Sequence, residues 1–71
     1  MVPFSEYTET IGARIHGKRA ESGMSLRTFG NLVGIHYNQL LLIERGKTNP
    51  SLRTLYKIAE GFDVDLSELL R

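Results

Sequence analysis

Between Val33 and Tyr37 the chain has room for little more than a bend. The stretch "LRTFGNLV" places Phe29, Leu32 and Val33 on one side at helical spacing, and "YNQLLLIER" begins after only "GIH". Apolar residues three and four apart mark both stretches as helices. A link this short, opening on Gly34, cannot bring the second helix back antiparallel along the first. It leaves two helices that cross at a steep angle. Gly34 falls where such a turn needs a positive φ, which glycine adopts without steric cost.

The rest of the chain repeats the same punctuation. Strand signals are nearly absent, because no run alternates β-branched or aromatic residues with polar ones. Five short helices are expected. Helix 1 runs from Thr8 or Thr10 to Glu21, with Ile11 and Ile15 on one face, Lys18 and Arg19 a turn later, and Gly23 as its stop. Helix 2 opens at Ser25, a good N-cap. Helix 3 spans about Tyr37 to Arg45 and stops at Gly46. "GKTNP" is a loop in which Asn49 or Ser51 caps helix 4 and Pro50 fits its first turn. Leu52, Leu55, Ile58 and Ala59 give helix 4 its apolar side. "DLSE", from Asp65 to Glu68, reads as a capping box for helix 5. That helix has barely begun at Arg71, as in a piece of a longer protein. The fold class is therefore all-α: a compact bundle of five short helices containing a helix-turn-helix.

Length and composition narrow the function. Seventy-one residues allow one domain. Cysteine is absent, so no disulfide or thiolate metal site is available. No apolar run approaches the roughly 20 residues that span a bilayer. The N-terminus lacks the pattern of a signal peptide. The net charge is only +1, but its distribution is uneven. Residues 12–57 hold eight basic and two acidic side chains, while both ends are acidic. A basic middle suggests one positive face, although an ordinary solvated surface gives the same counts.

The pieces "IGARI", "SGMS", "VGI", "IERGKTNPSLRTLYKIA" and "DVDLSELL" together resemble the helix-turn-helix DNA-binding domain of the lambda-repressor and Cro type, the Xre family. The resemblance covers residues 11–71 as one domain and leaves 1–10 as an N-terminal extension. "IERGKTNPS" followed by an amphipathic helix is its most specific element. It implies a sequence-specific transcriptional regulator, a repressor, with helix 3 in the major groove. Its partner is a double-stranded DNA operator, bound in the family often as a homodimer. The implied location is the cytoplasm of a bacterium or of a phage-infected host.

By resemblance, the base-contacting positions are His36, Tyr37, Asn38, Gln39 and Leu42. An asparagine such as Asn38 can recognise adenine through its paired carbonyl and amide. Phosphate contacts fall to Arg27, Arg45, Lys47, Thr48 and Asn49, and to the backbone N–H groups that open helix 4. Arg14, Lys18, Arg53 and Lys57 are weaker candidates. Arg19 and Glu44 are implied to form a structural salt bridge between helix 1 and helix 3. Gly30 stands where the family has alanine, so a small residue lets helix 3 cross close to helix 2.

Four further positions depart from the family. His36 replaces the usual serine or threonine cap of helix 3. Leu26 replaces a glutamine that binds phosphate. Leu41 and Leu42 replace polar residues on helix 3, and Leu42 suits thymine methyls better than hydrogen-bonded reading. Leu26 and Leu41 keep a second reading open: an antitoxin or adaptor that docks a protein partner through exposed leucines. An enzyme is not expected. His16 and His36 are the only histidines, and there is no HExxH, phosphate-cradling loop or nucleophile elbow. His16 reads as an exposed helix residue. No metal or cofactor is expected.

Overall fold

Side chains start the three middle helices of the computed structural model, which describes all 71 residues. The helices are α1 (Phe4–Ser22), α2 (Leu26–Val33), α3 (Tyr37–Glu44), α4 (Leu52–Gly61) and α5 (Ser67–Leu70), and there is no strand. Ser25 accepts from the Thr28 N–H and Ser51 from the Thr54 N–H, each at 3.0 Å. The cap of α4 is thus Ser51 and not Asn49, and Pro50 lies before the cap instead of in the first turn. Left-handed glycines end α1 and α2, Gly23 at φ 74° and Gly34 at φ 75°. The Gly34 value is the one the short turn requires.

Both chain ends differ from the sequence expectation. α1 starts at Phe4 and not at Thr8 or Thr10, so most of the N-terminal extension forms its first turns. Pro3 offers no side-chain cap, which leaves the local signal weak. Tertiary contacts hold these turns. Thr8 donates its hydroxyl to the Gly46 carbonyl at 3.3 Å, and the Glu9 backbone lies directly against Gly46. At the other end the capping box does not form. Leu66 occupies the cap position of α5, and Asp65 offers only its backbone carbonyl to the Glu68 N–H. The Glu68 carboxylate instead accepts from Lys18 on α1 at 3.3 Å. A one-turn helix is held by its docking and not by its own cap.

Ile15, Phe29, Leu40, Ile43, Ile58 and Leu69 are fully buried and contribute from all five helices. Phe29 stacks on Phe62 with ring centroids 4.3 Å apart. Burial of such side chains contributes about 1.5–3 kcal/mol each. α3 packs against α1 and α2, α4 against α2, and α5 against α1 and α4. Of the apolar residues expected inside α4, Leu55, Ile58 and Ala59 are buried, whereas Leu52 faces solvent. Gly30 is needed for a close approach: a Cβ there would sit 2.5 Å from the Ile35 carbonyl oxygen. The turn between α2 and α3 folds back onto that spot, which explains glycine where even alanine would push.

Candidate nucleic-acid interface

Helix α3 is only eight residues long, too short to persist alone in water. Its packing therefore decides which side chains it offers. Leu40 and Ile43 enter the core. Asn38, Leu42 and Arg45, spaced i, i+4 and i+7, form an exposed outer stripe, with Gln39 exposed beside it. Leu42 is 46 % exposed. Tyr37, Leu41 and Glu44 share the next stripe, which runs from half-buried to buried. Leu41 therefore belongs to the flank of α3 and not to its outer face.

The first turn of α3 is organised by aromatic contacts. His36 is its cap: the imidazole Nδ1 accepts from the Asn38 N–H at 3.2 Å. The His36 and Tyr37 rings stack with centroids 4.9 Å apart and planes 29° apart. Arg27, from the start of α2, places its guanidinium carbon 4.4 Å from the Tyr37 ring centroid. A cation over an aromatic face is attracted by the ring quadrupole while its N–H edges stay free. Residues from two helices thus form one layered group, Arg27 on Tyr37 on His36, at the mouth of the outer stripe.

The surrounding charges divide into occupied and free. Lys18 pairs with Glu68, Arg19 with Glu44, and Arg14 donates to the Leu69 carbonyl at 3.3 Å. Arg27, Arg45 and Lys47 are exposed and have no carboxylate partner, as do Arg53 and Lys57. Thr48 is half-buried and Asn49 exposed in the loop that leads to α4. The N–H groups of Leu52 and Arg53, at the start of α4, have no acceptor within the protein. Such groups, with the helix dipole, suit an anion. Leu26 is half-buried and packs against the core, so it is not the exposed leucine that protein docking requires.

A buried ionic cluster fixes α3 against α1. Arg19 donates from Nε to Glu44 Oε2 at 2.6 Å and from Nη2 to Glu44 Oε1 at 2.9 Å. Its Nη1 donates to the Met24 carbonyl at 2.9 Å, which ties in the turn before α2. The two side chains are 14 % and 3 % exposed. The hydrogen bonds to Glu44 raise the Arg19 pKa above its ordinary value, against a smaller lowering by burial and with the help of the carboxylate's charge. His16 joins the cluster, which its sequence reading missed. Its Nδ1 lies 2.9 Å from Glu44 Oε1 although the side chain is 60 % exposed. The signal was present, since His16 and Arg19 stand i and i+3 on one helix and share a face.

The helix-turn-helix family model matches residues 15–69. An HTH-type transcriptional regulator of Archaeoglobus fulgidus is 39 % identical over 56 residues, covering 79 % of this chain and 80 % of its own length. SinR of Bacillus subtilis is 39 % identical over 61 residues, covering 84 % of this chain and 55 % of its own, so the chain spans about half of that regulator. A crystal structure of SinR, the master regulator for biofilm formation, in complex with DNA is similar with a TM-score of 0.80 at 39 % identity, over 86 % of this chain and 98 % of that one. The restriction-modification controller protein C.AhdI of Aeromonas hydrophila has a TM-score of 0.90 at 28 % identity, over 96 % of this chain and 99 % of its own.

Proposed function

Because the chain belongs to the helix-turn-helix family of the Xre and Cro type, a DNA-binding and non-enzymatic class of transcriptional regulator, we propose that it acts as a repressor that reads the major groove with α3. The observation that supports this most is the outer stripe of α3. Asn38, Gln39, Leu42 and Arg45 all face solvent from a helix whose other sides are held by core and salt bridge. In this reading His36, Tyr37, Asn38, Gln39 and Leu42 meet base edges. Arg27, Arg45, Lys47, Thr48 and Asn49 meet phosphates and set the register. A DNA operator as partner implies a cytoplasmic location.

Enrichment of bound sites from a random duplex library tests the reading directly. One consensus sequence is expected, and a palindrome would establish binding as a dimer. The dimer is part of the proposal: Leu52 and Tyr56 of α4 are exposed beside half-buried Leu66, an apolar patch off α3. Three unpaired cations at phosphates give a log–log salt slope of about −2.7 per domain, an affinity loss of about 40-fold between 50 and 200 mM salt. A flat salt response would remove the phosphate assignments. Leu42→Gln is expected to shift the selected base at one position, because a van der Waals contact to a thymine methyl is replaced by hydrogen bonding. Unchanged selected sites would show that Leu42 does not face base edges. The protein-docking reading is the weaker one. It loses Leu26 to the core, Leu41 is half-buried, and the exposed Leu42 lies on the stripe assigned to base edges.

A further inference from the structure

The cap of α3 is a titratable ring, and the capping bond determines which end of that ring carries the proton. Nδ1 of His36 accepts the Asn38 N–H at 3.2 Å. A ring nitrogen that accepts has no hydrogen, so in the neutral imidazole the proton sits on Nε2. Stacking on Tyr37, itself covered by Arg27, favours the ring orientation that makes the bond. Nε2 has no partner within the protein, and the side chain is exposed. The result is one oriented N–H donor at the N-terminal end of α3.

We propose that His36 is a specificity-determining residue whose capping bond locks it as the Nε2–H tautomer, so that it selects a base offering an acceptor, guanine foremost, and rejects cytosine. The inference rests on α3 being the groove-reading helix. In the major groove guanine presents two acceptors, N7 and O6, adenine N7 and thymine O4, whereas cytosine presents only its N4 amino donor. An Nε2–H facing cytosine would meet another donor. The opposite tautomer would invert the preference, because an accepting Nε2 suits the amino groups of cytosine and adenine. A serine or threonine cap would satisfy the same Asn38 N–H but is too short to present a donor beyond it. The histidine thus serves the helix with one nitrogen and the operator with the other.

Two measurements test this. Long-range proton–nitrogen correlation spectra of the DNA-free protein, recorded in mildly alkaline buffer, should show an unprotonated Nδ1 and a protonated Nε2 for His36, assigned by loss of its signals in His36→Ser. The opposite tautomer, or an even mixture, overturns the inference without any reference to DNA. Library selection is then run on the parent and on His36→Ser, which keeps a capping oxygen. The parent should enrich guanine at one position, and the variant should lose that preference and keep every other. Affinity for the parent site should fall about 2- to 12-fold, the worth of one net hydrogen bond. A consensus that His36→Ser leaves unchanged overturns the specificity role of His36, and cytosine at the lost position overturns its donor role there; neither outcome touches the groove reading. Failure of the parent to enrich any sequence overturns the groove reading, and this inference with it.

Discussion

Arg19→Ala is expected to cost about 3–5 kcal/mol, the usual penalty for removing one partner of a buried pair. The carboxylate left behind, Glu44, is 3 % exposed and would keep only His16 as a partner. The Met24 carbonyl would lose its donor too. For a domain of this size each kcal/mol shifts the melting temperature by about 4–8 °C, so melting should fall by about 12 °C or more. Arg19→Lys should recover part of the loss, because an ammonium keeps the charge but not the two-pronged fit. A melting curve unchanged by Arg19→Ala would mean that the pair is worth the 0–1 kcal/mol or so of a surface bridge. The sign of the pH effect follows from the raised Arg19 pKa. A base whose folded pKa is raised contributes its stability below the unfolded value and loses it only as pH rises through the folded one. The arginine's share therefore persists throughout the neutral range.

Gly12→Ala should also destabilise, and Gly17→Ala, five residues along the same helix, should stabilise. Both replacements relieve α1 of a flexible residue, a gain of about 1 kcal/mol each from helix propensity. Only the surroundings differ. A Cβ on Gly12 would collide with the backbone carbonyl of Ile43 and come within 2.6 Å of that of Glu44. Backbone at the end of α3 cannot swing aside as a side chain can. Overpacking of this kind costs about 1–3 kcal/mol and occasionally more, and two carbonyls put it at the upper end. A Cβ on Gly17 has no neighbouring atom within 4 Å. Thermal melts of the two variants should therefore move in opposite directions. A rise in both would mean that α1 and α3 do not approach as closely as described. Both changes bear on function, because α1 is the surface against which α3 is set.

Most of the helix boundaries in the middle of the chain were readable from neighbouring residues. Ser25, Gly23 and Gly34 act within one turn of themselves, so their roles needed no knowledge of the fold. The pairing of Arg19 with Glu44 came from family resemblance and not from local pattern, since 25 residues separate them. Local signals are weak or compete with one another at the two chain ends. Nothing near Pro3 announces a helix start, and the contact that holds the first turns comes from Gly46, 38 residues away. "DLSE" has the letters of a capping box, yet Lys18 on α1 claims the Glu68 carboxylate that the box would need.

The four apolar residues Leu40, Leu41, Leu42 and Ile43 show the division most clearly. Sequence alone determined that they lie on a short helix ended by glycine, and that one helix cannot bury all of them. Three- and four-residue spacing also sufficed to send Leu40 and Ile43 inward together. Family resemblance already turned Leu42 outward beside Asn38, where it is exposed, and only the tertiary structure decided Leu41, which sits half-buried on the flank that ends at Glu44. Tertiary structure alone placed Arg27 over Tyr37, His16 on Glu44, and the glycine faces of α1 and α2 against backbone carbonyls. Caps, stops and periodicity act between residues a few positions apart and are written in chain order. The rotation of α3 about its axis depends on what α1 and α2 press against it, and that exists only once the helices have packed.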